Sequence, residues 1–103
     1  MVHISFYVPV HYAEKVKAAM FQAGAGKIGK YDSCSFEVKG IGQFRPLPGS
    51  NPTIGSHFEL KTVDELKVDM VCEEVIIHEV IDALKKSHPY ETPAYYVIEV
   101  LNY

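Results

Sequence analysis

Twice in this chain a run of alternating apolar residues gives way to helical spacing, and the two occurrences stand 64 residues apart. In the first, Val2, Ile4, Phe6 and Val8 alternate with His3, Ser5, Tyr7 and Pro9, the period-two signature of a half-buried strand. His11–Ala23 follows, with Ala13, Val16, Ala19, Met20 and Ala23 at helical spacing and Gly24 where a left-handed cap stops a helix. In the second, Leu66, Val68, Met70 and Cys72 alternate with Lys67, Asp69, Val71 and Glu73. Ile77, Val80, Ile81 and Leu84 then predict a helix that ends at His88-Pro89, because proline cannot continue it. A shift of 64 lays Ala13 on Ile77, Val16 on Val80, Ala19 on Ala83, Met20 on Leu84 and Gly24 on His88. A duplicated strand–helix–strand unit is the trace that a ferredoxin-like βαββαβ two-layer sandwich would leave, so the fold class is α+β. At 103 residues the chain makes one domain, 1–103, since a second core would leave both halves too small to stand alone.

Between the two units the chain changes character. Residues 25–55 hold six of the seven glycines and three of the six prolines. Ser33–Val38 reads as a strand, with Gln43-Phe44-Arg45 as its extension or a returning arm. Pro46-Leu47-Pro48-Gly49-Ser50-Asn51-Pro52 is too rich in breakers for a regular element. A long Gly/Pro-rich central loop in so small a domain is unusual and often functional. The final strand, Ala94–Leu101, is apolar or aromatic on both faces, although a two-layer sandwich covers only one. Either the central loop or another subunit must supply the missing cover, and a second copy is the preferred reading.

Composition narrows the partners. Apolar residues make up 48% and charged residues 22% of the chain, with a net charge of −3, so no basic face marks a nucleic-acid binder. The RNA-recognition domains that share this strand order carry basic and aromatic residues on their third strand. Here that strand reads Lys67-Val68-Asp69-Met70-Val71-Cys72. No segment approaches the roughly 18–20 apolar residues that span a bilayer. Met1-Val2-His3-Ile4-Ser5 lacks the basic and apolar regions of a signal peptide, which predicts a cytoplasmic protein without a membrane partner. Cys34 and Cys72 have no CxxC spacing and read as thiols, the simplest role being a small buried hydrophobe.

Residues that could carry chemistry are sparse in pattern. None of the five histidines forms HxH or HExxH, and there is no GxSxG, P-loop or dinucleotide fingerprint. Gly24-Ala25-Gly26-Lys27-Ile28-Gly29-Lys30 follows a helix instead of opening one. A turn that needs positive φ is the simpler reading; a loose anion site from backbone N–H groups with Lys27 or Lys30 is the sharper one. His88-Pro89-Tyr90-Glu91-Thr92-Pro93 reads as a rigid connector, or as a cleft in which His88 and Glu91 act as ligands. With Cys34 and His57 these two form the alternative divalent-metal set; otherwise no cofactor is expected.

Three stretches taken together carry a resemblance: Ala23–Phe36, Gly42–Gly55 and His88–Tyr95. In this order they resemble the domain inserted in YqfO-type Nif-three-like proteins of the dinuclear-metal-centre family, a domain similar in fold to CutA and PII signalling proteins. The resemblance covers essentially the whole chain. It implies a PII/CutA-like fold and self-association, a trimer before a dimer. It also implies that the metal chemistry of the larger relatives belongs to flanking domains, and that the three stretches gather on one face. The ligand-binding candidates drawn from them are Gly26, Lys27, Gly29, Tyr31, Tyr90 and Glu91. Tyr96 stands where that domain usually has an acid. The function expected is a non-catalytic, homo-oligomeric domain that regulates or binds a small molecule or protein. A metal-binding protein is the alternative, and a small metal-dependent hydrolase the weakest reading.

Overall fold

The computed structural model describes residues 1–103. Its elements run β1 (Val2–Pro9), α1 (Ala13–Gln22), β2 (Phe36–Phe44), β3 (Lys61–Cys72), α2 (Ile77–Ser87) and β4 (Tyr95–Glu99). A single-turn 3-10 segment precedes each helix, Val10–Tyr12 and Glu74–Ile76, and these two turns are also 64 residues apart. Neither helix has a side-chain N-cap, so the tightened turn leads the chain into each helix in place of a capping side chain. His88 is extended, as the residue before a proline prefers, and α2 stops there. Gly24 carries φ +112 directly after α1, the left-handed turn anticipated for that position.

The sheet is antiparallel with the order β2-β3-β1-β4. The β1–β3 register sets Val2 against Cys72, Ile4 against Met70, Phe6 against Val68 and Val8 against Leu66. These eight side chains turn to one face and are buried there with Val16 and Met20 of α1 and Val80 and Leu84 of α2. Val16 and Val80, and likewise Met20 and Leu84, are the pairs superposed by the 64-residue shift. The duplication in the sequence is therefore a duplication of the core. No helix is long and apolar enough to cross a membrane.

The bounds of three strands differ from the sequence reading. β2 runs unbroken over nine residues through Gly40 and Gly42, while Ser33–Ser35 lie before it. β2 is exposed on both faces over most of its length, so its sequence shows no alternation to read. Lys61–Asp64 of β3 pair only with Ile41–Phe44, making a two-stranded arm beyond the part of β3 that pairs with β1. β4 is limited to Tyr95–Glu99, and just past it the Val100 N–H donates to the Met1 carbonyl at 3.2 Å.

Phe6 is fully buried at the centre of this core. Phe6→Ala should cost about 3–5 kcal/mol of stability in urea unfolding, the usual range for emptying a packed aromatic site.

Candidate functional site

The face of the sheet opposite the helices carries the other half of each alternation: His3, Ser5, Tyr7 and Pro9 of β1, and Val71, Asp69, Lys67 and Glu65 of β3. One corner of this face is roofed. The segment between β2 and β3 folds down over it and is pinned to the α2–β4 connector by two hydrogen bonds. Thr53 Oγ1 donates to the Pro89 carbonyl at 2.8 Å, and the Asn51 N–H donates to Glu91 Oε2 at 3.1 Å. Within the segment, the Phe58 N–H donates to the Pro46 carbonyl at 2.7 Å and His57 Nε2 donates to the Ser50 carbonyl at 3.0 Å. Prolines leave fewer backbone donors in this stretch to satisfy, which suits an irregular chain lying on a sheet.

A cavity of about 300 Å³ remains beneath. Tyr7 and Glu65 are supplied by the sheet, Phe44 by the end of β2, Tyr90 and Glu91 by the connector, and Pro46, Pro52 and Ile54 by the roof.

His88 holds this corner together. Its ring is buried, Nε2 donates to the Tyr7 carbonyl at 2.7 Å, and Nδ1 accepts the Tyr90 N–H at 3.1 Å. The β1–β4 ladder ends at Phe6 opposite Tyr95, and the histidine side chain satisfies the next carbonyl along. Accepting at Nδ1 fixes the neutral tautomer with its proton on Nε2. Burial lowers the His88 pKa, the bond to Tyr7 acting in the opposite direction. With both ring nitrogens engaged, no lone pair is left to meet a metal.

Across the cavity, Tyr90 and Glu65 face one another. The Tyr90 hydroxyl is buried, and the Glu65 carboxylate is the charged group beside it. Burial and the Glu65 charge together push the Tyr90 phenol up to about 12. Burial likewise raises the Glu65 carboxyl, the tyrosine hydroxyl working against it. Glu65 reaches this place because β2 has no side chain at Gly42: a Cβ there would run into the Glu65 carboxyl. Sequence reasoning missed both Glu65 and Gly42. A glycine inside a strand, which marks close approach by a neighbour, was the available signal.

The other candidates lie elsewhere. Two of the three resemblance stretches meet here, while Ala23–Phe36, with Phe36 on the same helix-free face, lies at the opposite end of the sheet. It is anchored there by the Gly26 N–H, which donates to the Val71 carbonyl at 2.8 Å, where β3 ends and β1 begins. Gly26, Lys27, Gly29 and Tyr31 are thus separated from Tyr90 and Glu91. The N–H groups of Gly26, Ile28, Tyr31 and Cys34 are all bonded to backbone carbonyls, so they form no open anion cradle. Cys34, half-buried, also sits at that end, its thiol 3.6 Å from the Asp32 carbonyl. His57 lies on the roof and Glu91 on the cavity rim; no three His, Cys, Asp or Glu side chains come together as a metal cluster. On the open face, Ser5 Oγ donates to Asp69 Oδ1 at 2.6 Å and His3 Nε2 lies 3.5 Å from the same oxygen. Activation of a serine places histidine between the other two; here the carboxylate is in the middle.

This sheet order with both helices on one face defines a CutA-like α+β domain. CutA1 from Pyrococcus horikoshii superposes over 100% of this chain and 86% of its own with a TM-score of 0.72, at 17% identity, a likeness of fold alone. A Bacillus cereus protein related to NIF3 superposes with a TM-score of 0.84 and 35% identity, over 98% of this chain and 26% of that one. In sequence, the GTP cyclohydrolase 1 type 2 homolog of Bacillus subtilis is 45% identical over 97 residues, 94% of this chain and 26% of that protein. The homolog of the same name in Mycobacterium tuberculosis is 45% identical over 89 residues, 86% and 24% respectively. No protein-family profile matches the chain. The chain is therefore a relative of the NIF3-related GTP cyclohydrolase 1 type 2 homologs, spanning about a quarter of the length of the curated relatives it matches.

Two outcomes follow from the geometry. Because His88 is held neutral in the fold but titrates near 6.5 when unfolded, the unfolded chain binds more protons below that pH. The stability His88 contributes is present above about 6.5 and is lost as pH falls through its lowered folded value. His88→Ala should abolish that acid step while costing about 1–3 kcal/mol at neutral pH, as unfolding against pH will show. In alkaline titration followed by phenolate absorbance, one of the seven tyrosines should resist ionisation until about pH 12. Gly42→Ala, by displacing the Glu65 carboxylate, and Glu65→Gln, by removing its charge, should both bring that tyrosine down.

Proposed function

We propose that the chain acts as a self-associating CutA-like domain with a regulatory or ligand-binding role, and not as an enzyme. One observation carries the self-association: the helix-free face is roofed only at one corner. Beyond the roof, Phe36 of β2 is 68% exposed, and Tyr96 and Ile98 of β4 are 59% and 61% exposed. They lie on the same face as Tyr7, whose ring meets that of Tyr96 edge-on at 6.3 Å. Large apolar side chains spread across a sheet face call for a partner surface. The free edges of β2 and β4 give each copy two complementary ends, which allows a closed ring of like subunits.

A second copy is the partner chosen, and three copies the ring, in line with the CutA-like fold. In this reading residues 1–103 work as one cytoplasmic domain without nucleic acid, membrane or cofactor. The alternative metal site gains no comparable support: the ring nitrogens of His88 are occupied, and Cys34 lies at the far end of the sheet.

Sedimentation velocity at micromolar concentration tests the proposal. A three-chain mass is expected, falling to a single-chain mass in the double variant Tyr96→Asp, Ile98→Asp with its helical circular dichroism intact. A single-chain mass for the unaltered protein would overturn the reading.

A further inference from the structure

The roofed cavity has a chemistry of its own. Three aromatic rings face it, Tyr7, Phe44 and Tyr90, the last two with centroids 5.9 Å apart and planes inclined by 58°. Two carboxylates join them, Glu65 half-buried and Glu91 on the rim. No lysine, arginine or histidine is among the lining residues. Neither carboxylate takes part in any of the ion pairs of the molecule; Glu91 accepts only the Asn51 N–H. Glu65 therefore faces a mostly apolar cavity without a counter-charge, beside the buried hydroxyl of Tyr90.

We infer that this cavity is a binding site for a small organic cation, an amine or alkylated ammonium group. Aromatic faces attract a cation lying within about 6 Å of the ring centroid, and the attraction strengthens where water is excluded. The carboxylates add direct Coulomb attraction and exclude phosphates and nucleotides by repulsion. A bare metal ion fits poorly, because the aromatic walls offer few oxygen donors and hard cations want six or more. The volume of about 300 Å³ lies at the small end of ligand pockets and suits a compact headgroup. The inference rests on the ligand-binding half of the proposed function, and its test reads binding and not self-association.

Choline is the probe, and 3,3-dimethylbutan-1-ol, its uncharged carbon isostere, is the control. Titration of the full chain, followed by the NMR resonances of the aromatic rings and of Ile54, should show saturable shifts with choline and none with the isostere. Glu65→Gln and Phe44→Leu should each weaken choline binding roughly fivefold or more, the size of one cation–π or charge contact. Both variants should leave the resonances of the buried core unmoved. Equal binding of the isostere would overturn the cationic assignment while keeping a ligand pocket. Absence of shifts with either compound would overturn the site itself. Sedimentation of the same samples reads the assembly separately, so failure of one proposal is distinguished from failure of the other.

Discussion

The antiparallel pairing of β1 with β3 decides the destination of nearly every side chain that matters. Once Val2, Ile4, Phe6 and Val8 lie opposite Cys72, Met70, Val68 and Leu66, the helices can cover only that side. His3, Ser5 and Tyr7 are then committed to the other face with Asp69 and Glu65, because side chains alternate strictly along a strand. A slip of one residue would exchange the two sets and put an aspartate, a histidine and a glutamate under the helices. The cavity, the Ser5–Asp69–His3 cluster and the bare residues of β4 are all products of this single parity. The roof segment modifies the result locally by sheltering one corner.

How much of this was legible in the sequence depended on the range of the interaction concerned. Val16 and Val80, or Met20 and Leu84, could be placed in a core from their spacing alone, because helical burial is a local periodic property. β2 could not be bounded: Phe36–Phe44 is largely exposed, so no burial pattern was imposed on it. His88 was visible as the end of a helix, but its role is set by a carbonyl 81 residues away. Glu65 escaped notice for a similar reason, since its meaning depends on an absent side chain at Gly42 and a ring at Tyr90. Tyr90 and Glu91 were singled out from the resemblance and do stand at the cavity. The glycine-rich residues chosen with them answer to a different constraint, the exit of the chain from α1.

The sequence likeness to the NIF3-related proteins extends over nearly all of this chain but about a quarter of theirs. Whatever their full length accomplishes, the residues present here are a hydrogen-bonded sheet, two helices and a pinned roof. Their polar groups are engaged in holding structure: Asp69 with Ser5 and His3, His88 with Tyr7 and Tyr90, Lys17 with Glu14 and Glu37. Glu65, half-buried at the cavity beside Tyr90, joins none of the ion pairs, which is why the cavity and not the polar cluster attracts a functional reading.

The hydrogen bond from Val100 to Met1 brings the two ends of the folded chain side by side. A polypeptide entering at one and leaving at the other would meet only a short gap in its own path, as if a brief hairpin had been added. A host protein could carry the whole fold as a graft in a surface loop and pay little loop-closure entropy, because the graft closes its own ends when it folds.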